Sequence, residues 1–290
     1  MQLMVACALL CPFLGAPEAI SNLAGRSIPP APVLANHPLG AEWPIPFTYE
    51  NARALGHTEE DFQQLQGATG MVHCAKIGFQ PFYFQATMIG LDGQIATVAH
   101  NFANAGKNFD FDKCSFINGL ETLELDLSGV FLGTNEPDKE PGKDIAFARL
   151  TRAANSSKPL PLFRPGTLTL EAASRALIIT SQYQDGVLSR LIRPVAIRRF
   201  SRRYPDSMFV FGSIRIGDSG GLVYTFSDNG TIAAIGMVQG GSSLADNLPY
   251  NDSTRNTRSP INYNVAVTFT NDNLSDLVEF ASGRDVLWAN

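Results

Sequence analysis

From Thr69 onward the chain alternates short apolar, strand-favouring runs with turns marked by glycine, proline, asparagine and aspartate. Residues 82–91 and 94–99 flank Asp92-Gly93, a dipeptide that tolerates the left-handed backbone of a tight hairpin, so an antiparallel pair is expected there. Further strands are expected over 123–127 and 145–150. Residues 151–166 contain Pro159, Pro161 and Pro165 and show little periodicity, which reads as a crossover between two halves. The second half repeats the pattern at 177–180, 188–197, 208–211, 221–226, 232–239 and 263–268. Leu274, Leu277, Val278 and Phe280 then fall at helical spacing, predicting a short terminal helix over 273–281.

The first part of the chain follows other rules. Residues 3–14 are apolar, the first charge is Glu18, and Pro12 interrupts a run too short to span a bilayer. A secretory signal over 1–19 is expected, with Ala16, Ala19 and Ala24 as tolerable cleavage positions and no stable membrane span. Residues 20–66 read as a leader. Its first half is dense in proline (Pro29, Pro30, Pro32, Pro38, Pro44 and Pro46), favouring extended structure. Thr58 then precedes Glu59, Glu60 and Asp61, an N-cap followed by acids in the first helical turn, with Phe62 and Leu65 behind them. The segment is either a propeptide, with Arg26 and Arg53 as candidate processing sites, or an arm packed on the back of the strand-rich body. The remaining boundaries are expected at 67–155 and 156–290.

Composition narrows the class. At 290 residues the chain can bury a substantial core, and 25 glycines and 18 prolines between short strands suit an all-β domain. Charged residues make up only 17% and the net charge is −5, so nothing points to nucleic acid. The one local exception is the basic cluster Arg198, Arg199, Arg202 and Arg203. No metal-ligand spacing appears, and no metal or cofactor is expected. Of the 4 cysteines, Cys7 and Cys11 would leave with a cleaved signal. Cys74 and Cys114 remain, either as free thiols or as a bridge that would enclose His100 and clamp the loop bearing it.

Gly217-Asp218-Ser219-Gly220-Gly221 carries the chemistry. Glycines around a serine free backbone N–H groups to converge on one point, which acyl transfer needs beside a hydroxyl nucleophile. The same pentapeptide fits the nucleophile elbow of α/β-hydrolases, whose order along the chain is Ser, acid, His. Here His37, His57, His73 and His100 all precede Ser219, so that reading fails. The order His, Asp, Ser is available. An apolar run, Ile95-Ala96-Thr97-Val98-Ala99, ends in His100, and Asp144 heads the alternating segment Ile145-Ala146-Phe147-Ala148-Arg149-Leu150. Asp126 and Asp138 are rivals for the acid, although neither is followed by so clean a strand, and His37, His57 and His73 suit surface or hydrogen-bonded roles.

At these three segments the chain resembles the chymotrypsin-like (trypsin-fold) serine proteases, over roughly residues 67–290. The resemblance implies two antiparallel six-stranded Greek-key β-barrels with the active site in the cleft between them, and a protein or peptide substrate. It implies His100 as general base, Asp144 as its partner, Ser219 as nucleophile, and the N–H groups of Gly217 and Ser219 as the oxyanion hole. It sets Ser213 at the base of the specificity pocket and Val238-Gln239-Gly240-Gly241 as the strand lining it, with Gln239, Gly240 and Gly241 meeting substrate. Ser213 in place of an aspartate argues against cleavage after Lys or Arg and favours an apolar or aromatic residue, although Arg215 near the rim could favour an acidic or polar one. Two departures stand out. Asn101 follows the histidine where vertebrate trypsins have cysteine, and no Ile-Val-Gly-Gly-like sequence lies near residue 67 to supply a new amino terminus for Asp218.

Overall fold

The computed structural model describes residues 44–90, 93–164, 167–184, 186–200, 207–211, 214, 217–241, 263–269 and 287–289. The expected signal segment, the first half of the leader, Asp92, Ser213, Arg215 and the terminal helix over 273–281 lie outside them.

The described chain enters through a short strand, β1 (Ile45–Pro46), and two helices, α1 (Tyr49–Ala54) and α2 (Glu59–Ala68). Strands β2 (Thr69–Ala75), β3 (Phe82–Met88) and β4 (Gln94–Thr97) come after them. A small hairpin of β5 (Ala103–Asn104) and β6 (Lys107–Asn108) is next, then β7 (Lys113–Ile117), β8 (Thr122–Leu132) and β9 (Ala146–Leu150). Six of these close an antiparallel barrel in the order β2-β3-β4-β9-β8-β7. Phe84, Ala86, Met88, Ile95, Phe116, Leu123 and Phe147 are buried in its core. Cys74 and Cys114 are direct partners across β2 and β7, and they form a disulfide.

The second unit comprises α3 (Leu170–Ser174), β10 (Leu177–Gln184), β11 (Val187–Pro194), β12 (Ala196–Phe200), β13 (Ser207–Phe211), β14 (Leu222–Phe226), β15 (Ile232–Gly241) and β16 (Tyr263–Thr268). With β1 they make an eight-stranded antiparallel sheet, β1-β11-β10-β14-β15-β16-β13-β12. Strand β1 adds to the outer edge of β11, pairing Ile45 with Ile192 and Pro46 with Leu191. Strands β11 and β12 are consecutive in the chain, meeting at Pro194 and Val195 where proline cannot donate a ladder bond, so the segment that pairs with β10 runs on into the one that pairs with β13 and links the two ends of the sheet. The single strand expected over 188–197 is therefore two, divided at this corner.

Packing also crosses both expected boundaries. Thr58 and Asp61 form a reciprocal capping box that starts α2, and Leu65 and Ala68 at its far end are fully buried. Ile45, Leu55 and Leu65 belong to the same core as Phe147, Leu222 and Met237. The described part of the leader packs into this core. His57 fixes it further: its Nδ1–H donates to the Ala52 carbonyl at 2.9 Å, and its Nε2 accepts from the Tyr224 hydroxyl at 2.9 Å. Burial pushes the His57 pKa down and that of Tyr224 up, so the pair is a neutral imidazole and a neutral phenol.

The later part of the crossover is buried too, with Leu160 bridging to Ile89 and Leu162 bridging to Ala234 and Trp288. From β11, Arg190 reaches the barrel and donates to the carbonyls of Gln66, Thr69 and Asn118 and to the Thr69 hydroxyl. Burial lowers its pKa to about 10, which still leaves it charged at neutral pH.

Candidate active site

The buried run of β4 ends at Val98, and a single 3₁₀ turn (Ala99–Asn101) swings His100 out of the barrel wall. Strand β9 lies beside β4, pairing Ala146 with Thr97. A second 3₁₀ turn, Pro141–Lys143, leads into it and is closed by Asp144. Two residues far apart in sequence thus reach the same end of neighbouring strands. The Asp144 carboxylate takes the His100 Nδ1–H at 2.8 Å with one oxygen and the His100 backbone N–H at 2.9 Å with the other.

A carboxylate only accepts, so Nδ1 carries the proton and Nε2 presents its lone pair outward. Asp144 is fully buried, whereas the His100 side chain keeps 27% of its surface exposed. The rival acids are elsewhere: Asp126 is engaged with Ser128 at the surface, and Asp138 is exposed.

Ser219 lies in the connection entering β14. Gly217 and Gly220 adopt φ of 94° and 83°, in the left-handed region that a side chain disfavours. Gly220 N–H donates to the Val238 carbonyl at 2.8 Å, and Val238 N–H returns a bond to the Gly221 carbonyl at 2.7 Å. A Cβ on Gly220 would collide with the Gln85 carbonyl and the Thr97 hydroxyl, so the loop is seated against the end of β4 that delivers His100. Among the described residues no acceptor takes the N–H of Gly217 or Ser219. The Ser219 hydroxyl donates to the Gln239 carbonyl at 3.2 Å, and among the described residues it has no hydrogen bond to His100.

Gln239 also ties the two units together. Its side chain is fully buried and donates to the Pro141 carbonyl at 2.8 Å, tying β15 to the turn that ends in Asp144. Gly240 and Gly241 pair with Val265 and Asn264 of β16 beyond a register shift. No described metal-binding group of three or more His, Cys, Asp or Glu exists, and no described helix is long and apolar enough to cross a membrane.

Two residues absent from the sequence reading hold the serine loop. Arg193 on β11 is 1% exposed and donates to the Asp218 carboxylate at 2.7 Å and to the Thr180 hydroxyl at 3.2 Å. Gln85 on β3 is also buried, and its side-chain amide reaches the Gly217 carbonyl. Strand alternation alone puts Arg193 among solvent positions. Only the hydrophobic run around it, Leu191-Ile192-Arg193-Pro194-Val195, hints at burial.

No protein-family model matches the chain, and no curated protein does. Solved structures similar to it include the protease Anisep from Arthrobacter nicotinovorans, at 10% identity over 74% of this chain and 96% of that one, with a TM-score of 0.46. The thermostable serine protease AL20 from an extremophilic microorganism is 12% identical over 76% of this chain and 99% of that one, with a TM-score of 0.49. The protease of tobacco vein mottling virus is 12% identical over 74% and 82%, with a TM-score of 0.46. Likeness this distant is one of outline, and the chemistry has to stand on the side chains.

Proposed function

We propose that the chain is a serine endopeptidase that cuts protein or peptide substrates through His100, Asp144 and Ser219. The observation that carries this reading is the doubly bonded His100–Asp144 pair, with a buried carboxylate holding the imidazole in one tautomer. Rotation of the Ser219 hydroxyl from the Gln239 carbonyl towards Nε2 sets up the reaction. His100 removes the proton as Oγ attacks the peptide carbonyl, and the N–H groups of Gly217 and Ser219 receive the oxyanion. The imidazolium, stabilised by Asp144, then protonates the leaving amine, and water releases the acyl-enzyme by the same steps.

The reading includes a secreted chain with Ser213 at the base of an apolar or aromatic specificity pocket, since Ser213 supplies no charge for Lys or Arg. The buried Arg193–Asp218 pair supports activity without a newly cut amino terminus, because an internal cation already neutralises Asp218.

A second reading, a binding or scaffold protein on the same framework, is favoured by one observation: Ser219 bonds to Gln239 and not to His100. Labelling the purified, folded protein with a fluorophosphonate and mapping the adduct separates the two. Adduct on Ser219 with hydrolysis of peptides bearing apolar residues is the outcome expected of the peptidase. Folded protein that takes no adduct would leave the scaffold reading standing.

A further inference from the structure

Gln85 alternates with the core residues Phe84 and Ala86, is 2% exposed, and touches three separate segments. It sits on β3 of the closed barrel. Its Nε2 donates to the Gly217 carbonyl at 2.6 Å, and its Oε1 accepts from the Ser181 backbone N–H of β10 at 2.8 Å. Its own backbone carbonyl accepts from the Thr97 hydroxyl at 2.6 Å. The same carbonyl is what a Cβ on Gly220 would strike, so the backbone of Gln85 presses on one side of Ser219 while its amide holds the other. Every hydrogen-bonding direction is determined: Ser181 offers only an N–H and Gly217 only an oxygen, which fixes the amide's orientation.

The bond from Ser181 satisfies only the amide oxygen, and the buried Nε2 still needs an acceptor, which it finds at Gly217. What the second bond adds is a constraint on Gly217, whose positive φ leaves it a backbone freedom no side chain restrains. The Gly217 carbonyl belongs to the peptide that continues into Asp218, whose carboxylate is held by Arg193. The segment before Ser219 is thus gripped at consecutive residues, by an amide from the barrel and a guanidinium from the sheet.

We propose that Gln85 is a positioning residue for the oxyanion hole: by holding the Gly217 carbonyl it sets the aim of the donors at Gly217 and Ser219. The inference rests on the peptidase reading. It makes the hole a joint product of the two units, since β3 comes from one and the loop from the other. Oxyanion donors act on charge that develops during reaction, so their misalignment slows turnover and leaves substrate binding largely intact.

The test is Gln85→Glu, with Gln85→Met beside it, in the full chain carrying wild-type Ser219. A carboxylate still accepts from Ser181 but cannot donate to Gly217; a protonated carboxyl can do both. At pH 8, Gln85→Glu is expected to lower kcat by about tenfold to a hundredfold with KM nearly unchanged, the scale of a small misplacement at a reacting centre. Rates are expressed per site titrated with the fluorophosphonate, and each is divided into the wild-type rate at the same pH, which removes the titration of His100. The ratio is expected to fall towards one as pH is lowered and the carboxyl regains its O–H donor. Gln85→Met, with no donor at any pH, is expected to show the same loss with a flat ratio, and it carries the test alone if the Glu variant does not fold.

A purely structural role would lower the unfolding temperature without a pH-dependent kcat ratio. Turnover within about twofold of wild type in both variants, or a loss confined to KM, overturns the inference while leaving the peptidase intact. Wild type that neither hydrolyses peptide nor takes the probe overturns the peptidase reading before any variant is compared, and this inference with it.

Discussion

The closed barrel and the eight-stranded sheet hold their chemical groups in opposite ways. In the barrel, His100 and Asp144 sit at the ends of neighbouring strands, and the ladder between β4 and β9 sets their separation through backbone hydrogen bonds. A disulfide between directly paired strands reinforces that unit. The Ser219 loop belongs to no ladder. It is held by side chains that arrive from elsewhere, Arg193 from β11 and Gln85 from the barrel itself, and by backbone exchange with Val238. A pair built on a ladder inherits the stiffness of the sheet, whereas a loop of glycines needs specific polar partners to stay in one conformation.

The comparison is sharpest where one atom is removed without touching either framework. Ser219→Ala is expected to abolish peptide hydrolysis, by about a millionfold in kcat, while the thermal unfolding midpoint stays where it was. Turnover near wild type would mean that the nucleophile lies elsewhere.

Next in size is the support of the loop. Arg193→Met removes the buried Arg193–Asp218 ion pair and is expected to cost about 3–5 kcal/mol of stability, along with most of the activity. Denaturant unfolding and kcat together check it. Adding Asp218→Asn should recover stability more fully than turnover, since the charge is then gone but the grip is not restored. Recovery of both would show that the pair is not what orders the loop.

Breaking the barrel's own brace should act the other way. Cys74→Ser with Cys114→Ser opens a loop spanning a sequence separation of 40 and is expected to lower stability by about 4 kcal/mol. Below the new unfolding transition, kcat should be close to wild type, because the β4–β9 ladder survives. A large fall in kcat in folded protein would place part of the His100–Asp144 geometry on the disulfide after all.

The smallest expected effect comes from the arm. Burial holds the His57 pKa below its ordinary 6.5, so as pH falls the unfolded chain takes up the proton first. The stability His57 contributes is therefore complete above about pH 6.5 and drains away on acidification towards the folded value, opposed only in part by its bond to the Ala52 carbonyl and the attraction of Asp61. Thermal midpoints measured between pH 7.5 and 5 should fall, and His57→Gln should flatten part of that slope. An identical slope in the variant would remove His57 from the account.

Legibility in the sequence divides along the same line. The strands delivering His100 and Asp144 carry apolar runs bounded by a polar residue, a local signal, and they lie within a few residues of where that signal puts them. The serine loop announces itself through glycines. Its supports do not, because Gln85 and Arg193 gain meaning only from partners far along the chain, and an arginine on an alternating strand reads as a solvent position. The bond from the Gln239 amide to Pro141 is equally illegible, because only the fold brings residues so far apart in sequence together. The strand Lys113–Ile117 gives little signal because it is short and has a single buried alternation, Cys114 and Phe116, between charged and polar flanks.

The position of Arg193 bears on how such a peptidase would be governed. A chain whose cation for Asp218 is encoded within its own β11 has no need of a newly cut amino terminus to supply that charge. If cutting governs such a peptidase, it would have to act by uncovering the cleft rather than by completing the Asp218 pair.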